Sequence, residues 1–143
     1  ERWIDEAVVG GGELVETGEL GAVLCPTVLL DVPEDGRLIR DEVFGPVVSI
    51  QRYGEIDDAI DRANGTPYGL QAGIFTARVD RALGWARRLR FGGVTINETP
   101  TFRADQQPYG GVKDSGNTRE GPKYAVRSMT EGRLVVIDGI GSA

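Results

Sequence analysis

Histidine is absent from these 143 residues, and cysteine occurs once, as Cys25. Without histidine, no Ser-His or Cys-His nucleophile pair can be built from this chain. A lone cysteine excludes an internal disulfide and fits a reducing, cytoplasmic compartment. No cluster of cysteine and carboxylates has the spacing of a metal site. Positive charge is in deficit too: 16 Lys and Arg stand against 22 Asp and Glu, for a net charge of −6 and a pI of about 4.7. That balance argues against nucleic acid as a partner, because phosphate binding needs a basic field. No apolar run approaches the roughly 20 residues of a membrane span, and no signal peptide opens the chain. What remains is ordinary globular composition, 40% hydrophobic and 27% charged. A chain of this length can bury roughly 70% of the surface its unfolded form exposes.

The opening ERWIDEAV places Trp3, Ile4, Ala7 and Val8 near one helical face with no capping residue before them. A chain that starts at Glu1, inside a helix, is expected to have been cut from something longer, by processing or by choice of the expressed segment. Residues 10–21 (GGGELVETGELG) read as a glycine-rich connection. GAVLCPTVLLDV reads as a β segment that Pro26 limits to an edge or a bulge. Residues 33–46 are turn-rich and poorly periodic.

The middle of the chain is clearer. Residues 47–53 (VVSIQRY) look like a strand. Residues 55–64 look like a helix, because Ile56, Ala59, Ile60 and Ala63 recur at i, i+3, i+4 and i+7. Asp57 and Asp58 sit in its first turn, where they suit the macrodipole, and Asn64-Gly65 stops it. Residues 70–76 (LQAGIFT) form a second strand. Val79, Ala82, Leu83, Ala86 and Leu89 form the stripe of a second helix, whose late turns account for Arg87, Arg88 and Arg90. Residues 94–97 (VTIN) follow as a third strand. The order β-α-β-α-β with short connections predicts parallel strands in an α/β fold. Ligands of open α/β sheets bind beyond the carboxyl ends of the strands. The segment after Asn97, ETPTFRADQQPYGGVKDSGN, is a long irregular loop in that position, and such loops are usually functional or disordered. A short helix is expected near 119–128, and GRLVVID reads as a terminal strand whose apolar edge needs a cover.

Taken alone, the candidate groups are modest. Cys25 sits in an apolar β run and reads as an inert thiol. Gly10-Gly11-Gly12 follows a helix rather than a strand, and Gly110-Gly111 lacks phosphate-loop spacing. Glu42 could accept two hydrogen bonds from a ribose diol and Phe44 could wall a flat ligand. By spacing alone, though, a solvated carboxylate beside a core phenylalanine is the better reading. Phe102, Arg103 and Tyr109 read, unaided, as aromatic plugs and one solvated arginine.

Seven motifs in order change that reading. PTVLLDV (26–32), DEVFGPV (41–47), ANGTPYGL (63–70), GGVTIN (92–97), PYGGVKDSG (108–116), Arg119-Glu120-Gly121 and Thr130-Glu131 together resemble the carboxyl-terminal third of aldehyde dehydrogenases. TPTFRADQQPYGGVKDSG looks most like the branch acting on small oxygenated aldehydes, such as lactaldehyde, glyceraldehyde 3-phosphate and phosphonoacetaldehyde. The resemblance implies an open, mostly parallel sheet with flanking helices, the carboxyl-terminal part of a catalytic domain over 1–129. It implies an oligomerisation strand and tail over 130–143, in a homo-oligomer. It implies oxidation of a small aldehyde to the acid through a cysteine thioester, with NAD or NADP as hydride acceptor.

Glu42 would bind the nicotinamide ribose and Phe44 would pack beside it. Tyr109 would line the aldehyde pocket, and Glu98, Thr99, Thr101 and Phe102 would shape substrate choice. Arg103 would meet an anionic substrate group, since guanidinium binds phosphate or carboxylate in a bidentate way. The nucleophile, its base and the dinucleotide-binding domain match nothing in these residues, so the segment alone is expected to be inactive. Thr118 stands where the family usually has glycine, so strain is expected there if the turn needs φ > 0. Arg119 and Glu131 are expected to be structural, paired near a subunit interface. Two other readings stay open: a stand-alone binding or assembly module of the same shape, and an enzyme that passes the acyl group to coenzyme A.

Overall fold

The computed structural model describes residues 1–20 and 23–139. The chain divides into two compact units, 1–67 with 87–89, and 68–86 with 90–143.

The first unit opens with helix α1 (Arg2–Val9). Its inward face carries Ile4 and the buried Ala7, as the opening pattern predicts. The helix ends at Gly10, and Gly11 turns the chain at φ 108. The glycine-rich stretch that follows is not an unstructured connection. It holds strand β1 (Glu13–Glu16) and the two-residue strand β2 (Glu19–Leu20), which pairs with β3 (Val23–Leu24) as an antiparallel hairpin. Cys25 and Pro26 separate β3 from β4 (Thr27–Leu30). Pro26 thus stands just before a central strand, where its missing N–H breaks no ladder. Residues 21–22, inside the expected β segment, lie outside the described residues.

β4 pairs antiparallel with β1, across a register shift between Leu14 and Glu16. It pairs parallel with β5 (Val47–Ile50), Thr27 opposite Val47 and Leu30 opposite Ile50. One face of this sheet is covered. Leu29 is fully buried with Val32 and Ala7, and Ile4, Leu38, Ile39 and Val47 pack around them. Leu38 and Ile39 come from α2 (Arg37–Arg40), a single turn inside the segment that reads as turns in sequence. The other face bears Val48 and Ile50, both about half exposed. Helix α3 (Ile56–Asn64) buries Ile60, with Asp57 and Asp58 in its first turn as expected. Arg88 ties to this helix twice: its Nη1 donates to Asp57 Oδ1 at 2.6 Å, and its carbonyl accepts from Asn64 Nδ2 at 2.9 Å.

In the second unit, β6 (Gln71–Ile74) and β7 (Gly93–Ile96) are parallel, Gln71 opposite Gly93 and Ile74 opposite Ile96. Helix α4 (Val79–Arg88) lies between them in sequence. Of its expected apolar stripe, Ala82 is buried, while Val79 and Leu83 are half exposed. A 3-10 turn (Lys113–Ser115) follows the long loop. Helix α5 (Pro122–Ser128) starts with proline at a position that needs no N–H partner.

The α/β class and the parallel pairs stand, but the single open sheet does not. Among the described residues the strands form three separate sheets, β1-β4-β5, β2-β3 and β6-β7. A helical crossover permits parallel strands without making them neighbours, so β5 and β6 can follow one another in the chain and belong to different sheets. Residues 131–139 carry no regular structure, and Leu134, Val135, Val136 and Ile137 are 68–87% exposed. Their β propensity finds no partner strand among the described residues. Residues 140–143 of the expected tail lie outside the described residues. No helix among the described residues is long and apolar enough to cross a membrane.

Candidate functional site

The loop after β7 is organised by its own short-range hydrogen bonds. Asn97 takes φ 56, a conformation asparagine tolerates because its side chain bonds locally. Its Oδ1 accepts the Thr76 N–H at 2.7 Å, and its N–H donates to Ile74 O at 2.7 Å. Thr95 Oγ1 lies within 2.8 Å of Glu98 O and 3.3 Å of Ala72 O. Glu98 Oε1 accepts the N–H of Thr99, and the hydroxyls of Thr99 and Thr101 are 2.9 Å apart. A turn at 104–107, closed by Gln107 N donating to Ala104 O, brings the chain back to Tyr109. Tyr109 and Glu120 then exchange backbone hydrogen bonds as an isolated bridge.

Two glycines decide how closely this loop lies on the strand. A Cβ on Gly92 would collide with the carbonyl of Gly110, and one on Gly110 would collide with the carbonyl of Thr118. Gly92 also donates its N–H to Gly69 O at 2.9 Å. Hence the glycines of PYGG serve backbone approach here, not phosphate binding, and they fix the position of Tyr109. Arg119 Nη1 donates to the carbonyls of Gly111 and Thr118, both at 2.9 Å. This is the structural role expected of Arg119, but among the described residues no ion pair joins it to Glu131; backbone carbonyls take its donors instead. Thr118 is not among the residues with positive φ, so the expected strain is absent. The neighbouring turns fall on Gly116 and Gly121, at φ 117 and 118.

Four of the sequence candidates come together. Phe102, Arg103 and Tyr109 line an open cavity of about 390 Å³, together with Gln71 and Thr95. Thr101, Arg103 and Tyr109 line an adjoining cavity of about 340 Å³, with Leu70, Gln71 and Pro100. The Arg103 guanidinium lies over the Tyr109 ring, so this stacked pair belongs to both walls. Arg103 makes no salt bridge among the described residues, which leaves its charge open to an anion. Glu98 and Thr99 line neither cavity; their polar atoms are turned onto the loop itself. Gln71, Asp105 and Glu120 line the larger cavity and were not singled out from sequence. A polar side chain opening a half-buried strand opposite a glycine is the signal that could have found Gln71.

Beneath the loop, Lys113 donates from Nζ to Tyr68 O at 3.0 Å and sits 5.5 Å from the centre of the Phe91 ring. Burial pushes its pKa below the usual lysine value, with the nearby Arg90 charge acting the same way. Lys113 is a support for the loop's base and lines neither cavity.

Glu42 and Phe44 belong to the first unit, between α2 and β5. Glu42 is exposed and makes no hydrogen bond or ion pair among the described residues, so both carboxylate oxygens are free to accept from a diol. Phe44 is not the core residue its hydrophobicity suggests. It is 90% exposed and sits at φ 45. A bulky residue held there costs about 1–3 kcal/mol, and such strain is typical of ligand sites. Phe44 borders a cavity of about 390 Å³ with Trp3, Ile4, Leu24, Val43 and Val47. These features fit a ribose bound at Glu42 with a flat ring beside Phe44. Cys25 is buried at the β3-β4 break, and its carbonyl accepts Thr27 Oγ1 at 3.0 Å. No group of three His, Cys, Asp or Glu among the described residues could hold a metal ion.

Known proteins share this arrangement. The sequence profile of the aldehyde dehydrogenase family matches residues 1–135. A 3-sulfolactaldehyde dehydrogenase of Priestia aryabhattai is 46% identical over 139 residues, 96% of this chain and 29% of that protein. A lactaldehyde dehydrogenase of Methanococcus vannielii is 43% identical over 137 residues, 96% of this chain and 30% of that protein. The crystal structure of aldehyde dehydrogenase 21 from Physcomitrella patens, in complex with the reaction product succinate, superposes with a TM-score of 0.90. It is 42% identical and covers 99% of this chain and 30% of its own. The glyceraldehyde-3-phosphate dehydrogenase GapN of Methanocaldococcus jannaschii, complexed with NADP, gives a TM-score of 0.82 at 43% identity, covering 90% of this chain and 28% of its own. The chain thus spans about 30% of the length of the relatives it matches.

Proposed function

Because the chain belongs to the aldehyde dehydrogenase family, we propose that it forms part of an enzyme that oxidises a small, oxygenated aldehyde to the carboxylic acid through a cysteine thioester. NAD or NADP, when bound, accepts the hydride that leaves the aldehyde carbon. Glu42 holds the ribose hydroxyls and Phe44 covers the adjoining ring. Tyr109, Phe102 and Thr101 wall the aldehyde and keep water from it, and Arg103 pairs with an anionic group at the far end of the substrate. The attacking thiolate comes from outside these residues. Cys25 is buried and this chain has no histidine to serve as its base, so the 143 residues by themselves turn over no aldehyde. Residues 1–129 belong to the catalytic domain. The exposed apolar segment within 130–143 joins an oligomerisation sheet in a cytoplasmic homo-oligomer, which removes its open edge.

The observation that carries the reading is the Arg103 guanidinium, which makes no salt bridge among the described residues and stacks on Tyr109 where two cavities meet. The test is turnover by the full-length enzyme on paired neutral and anionic small aldehydes, with NAD and NADP, followed by acid formation. Arg103→Ala should lower kcat/KM for an anionic aldehyde by about 10–100-fold, the worth of a charged hydrogen bond, and leave the neutral one nearly unchanged. An Arg103→Ala enzyme with unaltered preference between them rejects the anion role. A wild-type protein that produces no acid from any aldehyde rejects the activity itself.

A further inference from the structure

Gln71 opens β6 directly opposite Gly93 of β7. Its amide folds across that strand: a Cβ on Gly93 would overlap both Oε1 and Nε2 of Gln71. Glycine at 93 therefore creates the space that the amide fills. Gln71 is half-buried and makes no side-chain hydrogen bond among the described residues, although it lines both cavities together with Arg103 and Tyr109. Several other polar groups nearby are engaged, whereas the Asp105 and Glu120 carboxylates of the larger cavity can only accept. Thr95 Oγ1 is bound to the Ala72 and Glu98 carbonyls, Gln107 Oε1 accepts the Ala104 N–H, and the Thr101 hydroxyl meets that of Thr99.

No polar atom of this side chain is sealed from water, so the amide stands open to a ligand in either cavity. Its chemistry narrows the ligand. Arg103 can only donate, so it suits an anion, whereas an amide both donates and accepts, as an alcohol does. We propose that Gln71 is a specificity-determining residue that hydrogen-bonds the hydroxyl on the carbon next to the aldehyde, so that the preferred substrate is a 2-hydroxyaldehyde. Arg103 holds the anionic group when the substrate carries one. This assignment rests on the dehydrogenase reading given above. A site built to pair with a hydroxyl discriminates against the analogue lacking it, because its own polar group is then left unmet.

The test is steady-state kinetics of the full-length enzyme on lactaldehyde and propanal, a pair that differs only in the 2-hydroxyl. The wild type should favour lactaldehyde. Gln71→Met, which keeps the length of the side chain, should lower kcat/KM for lactaldehyde about tenfold and leave propanal within about twofold. Gln71→Glu retains an acceptor and should keep most of the preference while penalising anionic aldehydes by charge repulsion. Equal losses on both aldehydes in Gln71→Met would mean that the amide only packs against Gly93, and the proposal falls. An unchanged preference in Gln71→Met, or a lost one in Gln71→Glu, overturns it as well. A wild type that oxidises neither aldehyde overturns the dehydrogenase reading first, an outcome distinct from an active enzyme indifferent to Gln71.

Discussion

Replacing Gly92 with alanine puts a methyl group where the Gly110 carbonyl already stands. The obstacle is backbone, so no side-chain rotation relieves it, and either Gly92 or the 109–111 segment has to move. Gly92 is also held from its other side, through its N–H bond to Gly69 O at 2.9 Å. Overpacking of this kind costs about 1–3 kcal/mol, and the rigidity of both partners places Gly92→Ala in the upper part of that range. At about 2–4 °C per kcal/mol for a domain of 150–250 residues, a loss of about 2–3 kcal/mol lowers the melting midpoint by about 4–12 °C. Catalysis should suffer more than stability. Tyr109 adjoins Gly110, and a misplacement of about 1 Å at a substrate wall can reduce kcat/KM by about 100-fold. Thermal melting and aldehyde kinetics of the full-length enzyme measure both effects. A Gly92→Ala enzyme that melts with the wild type and keeps kcat/KM within about threefold would refute the close approach of loop and strand.

Two further perturbations test other parts of the fold. Gly84 lies in α4 at an exposed position, and a Cβ there meets nothing within 4 Å, so Gly84→Ala should stabilise the protein by about 0.5–1 kcal/mol; a lower urea midpoint would contradict the open space around it. Asp31 is held below the ordinary value of 3.8 by hydrogen bonds from the Arg52 side chain, then from the Arg52 backbone N–H. A depressed carboxylate stabilises the fold above its unfolded pKa, and this contribution disappears as pH falls through the folded value. Asp31→Asn should therefore be the less stable protein at neutral pH and converge on the wild type in acid, and asparagine suits the φ of 48 at that position. Urea midpoints that stay parallel across the acid range would show that the ion pair contributes nothing.

What could be read from sequence followed the strength of local periodicity. Helix α3 was legible because Ile56, Ala59, Ile60 and Ala63 repeat on one face and aspartates mark its start. Strand β1 was not, because all four of its residues are exposed and carry no alternation. It exists through pairing with β4, a contact no local pattern records. The one-turn helix α2 is too short to show a period. The separation of β5 from β6 was equally hidden, since a crossover specifies direction and not adjacency. At the candidate site, Thr101, Phe102, Arg103 and Tyr109 were found through motif resemblance, but the stacking of Arg103 on Tyr109 depends on the turn at 104–107. Gln71 escaped notice because its meaning depends on Gly93, 22 positions away and opposite it only once the strands pair. Phe44 shows the reverse: its hydrophobicity suggests a core residue, and only the backbone places it in solvent.

The exposed run Leu134 to Ile137 is bracketed by Arg133 and Asp138. Stacking many copies of this segment in parallel register would set arginine above arginine and aspartate above aspartate, about 4.7 Å apart, at every step of the fibril. Antiparallel pairing of two copies instead sets Arg133 across from Asp138 at both ends, with Leu134 facing Ile137 and Val135 facing Val136. The two flanking charges thus oppose a parallel in-register stack of this apolar run and act as gatekeepers against that form of aggregation, while leaving antiparallel pairing open.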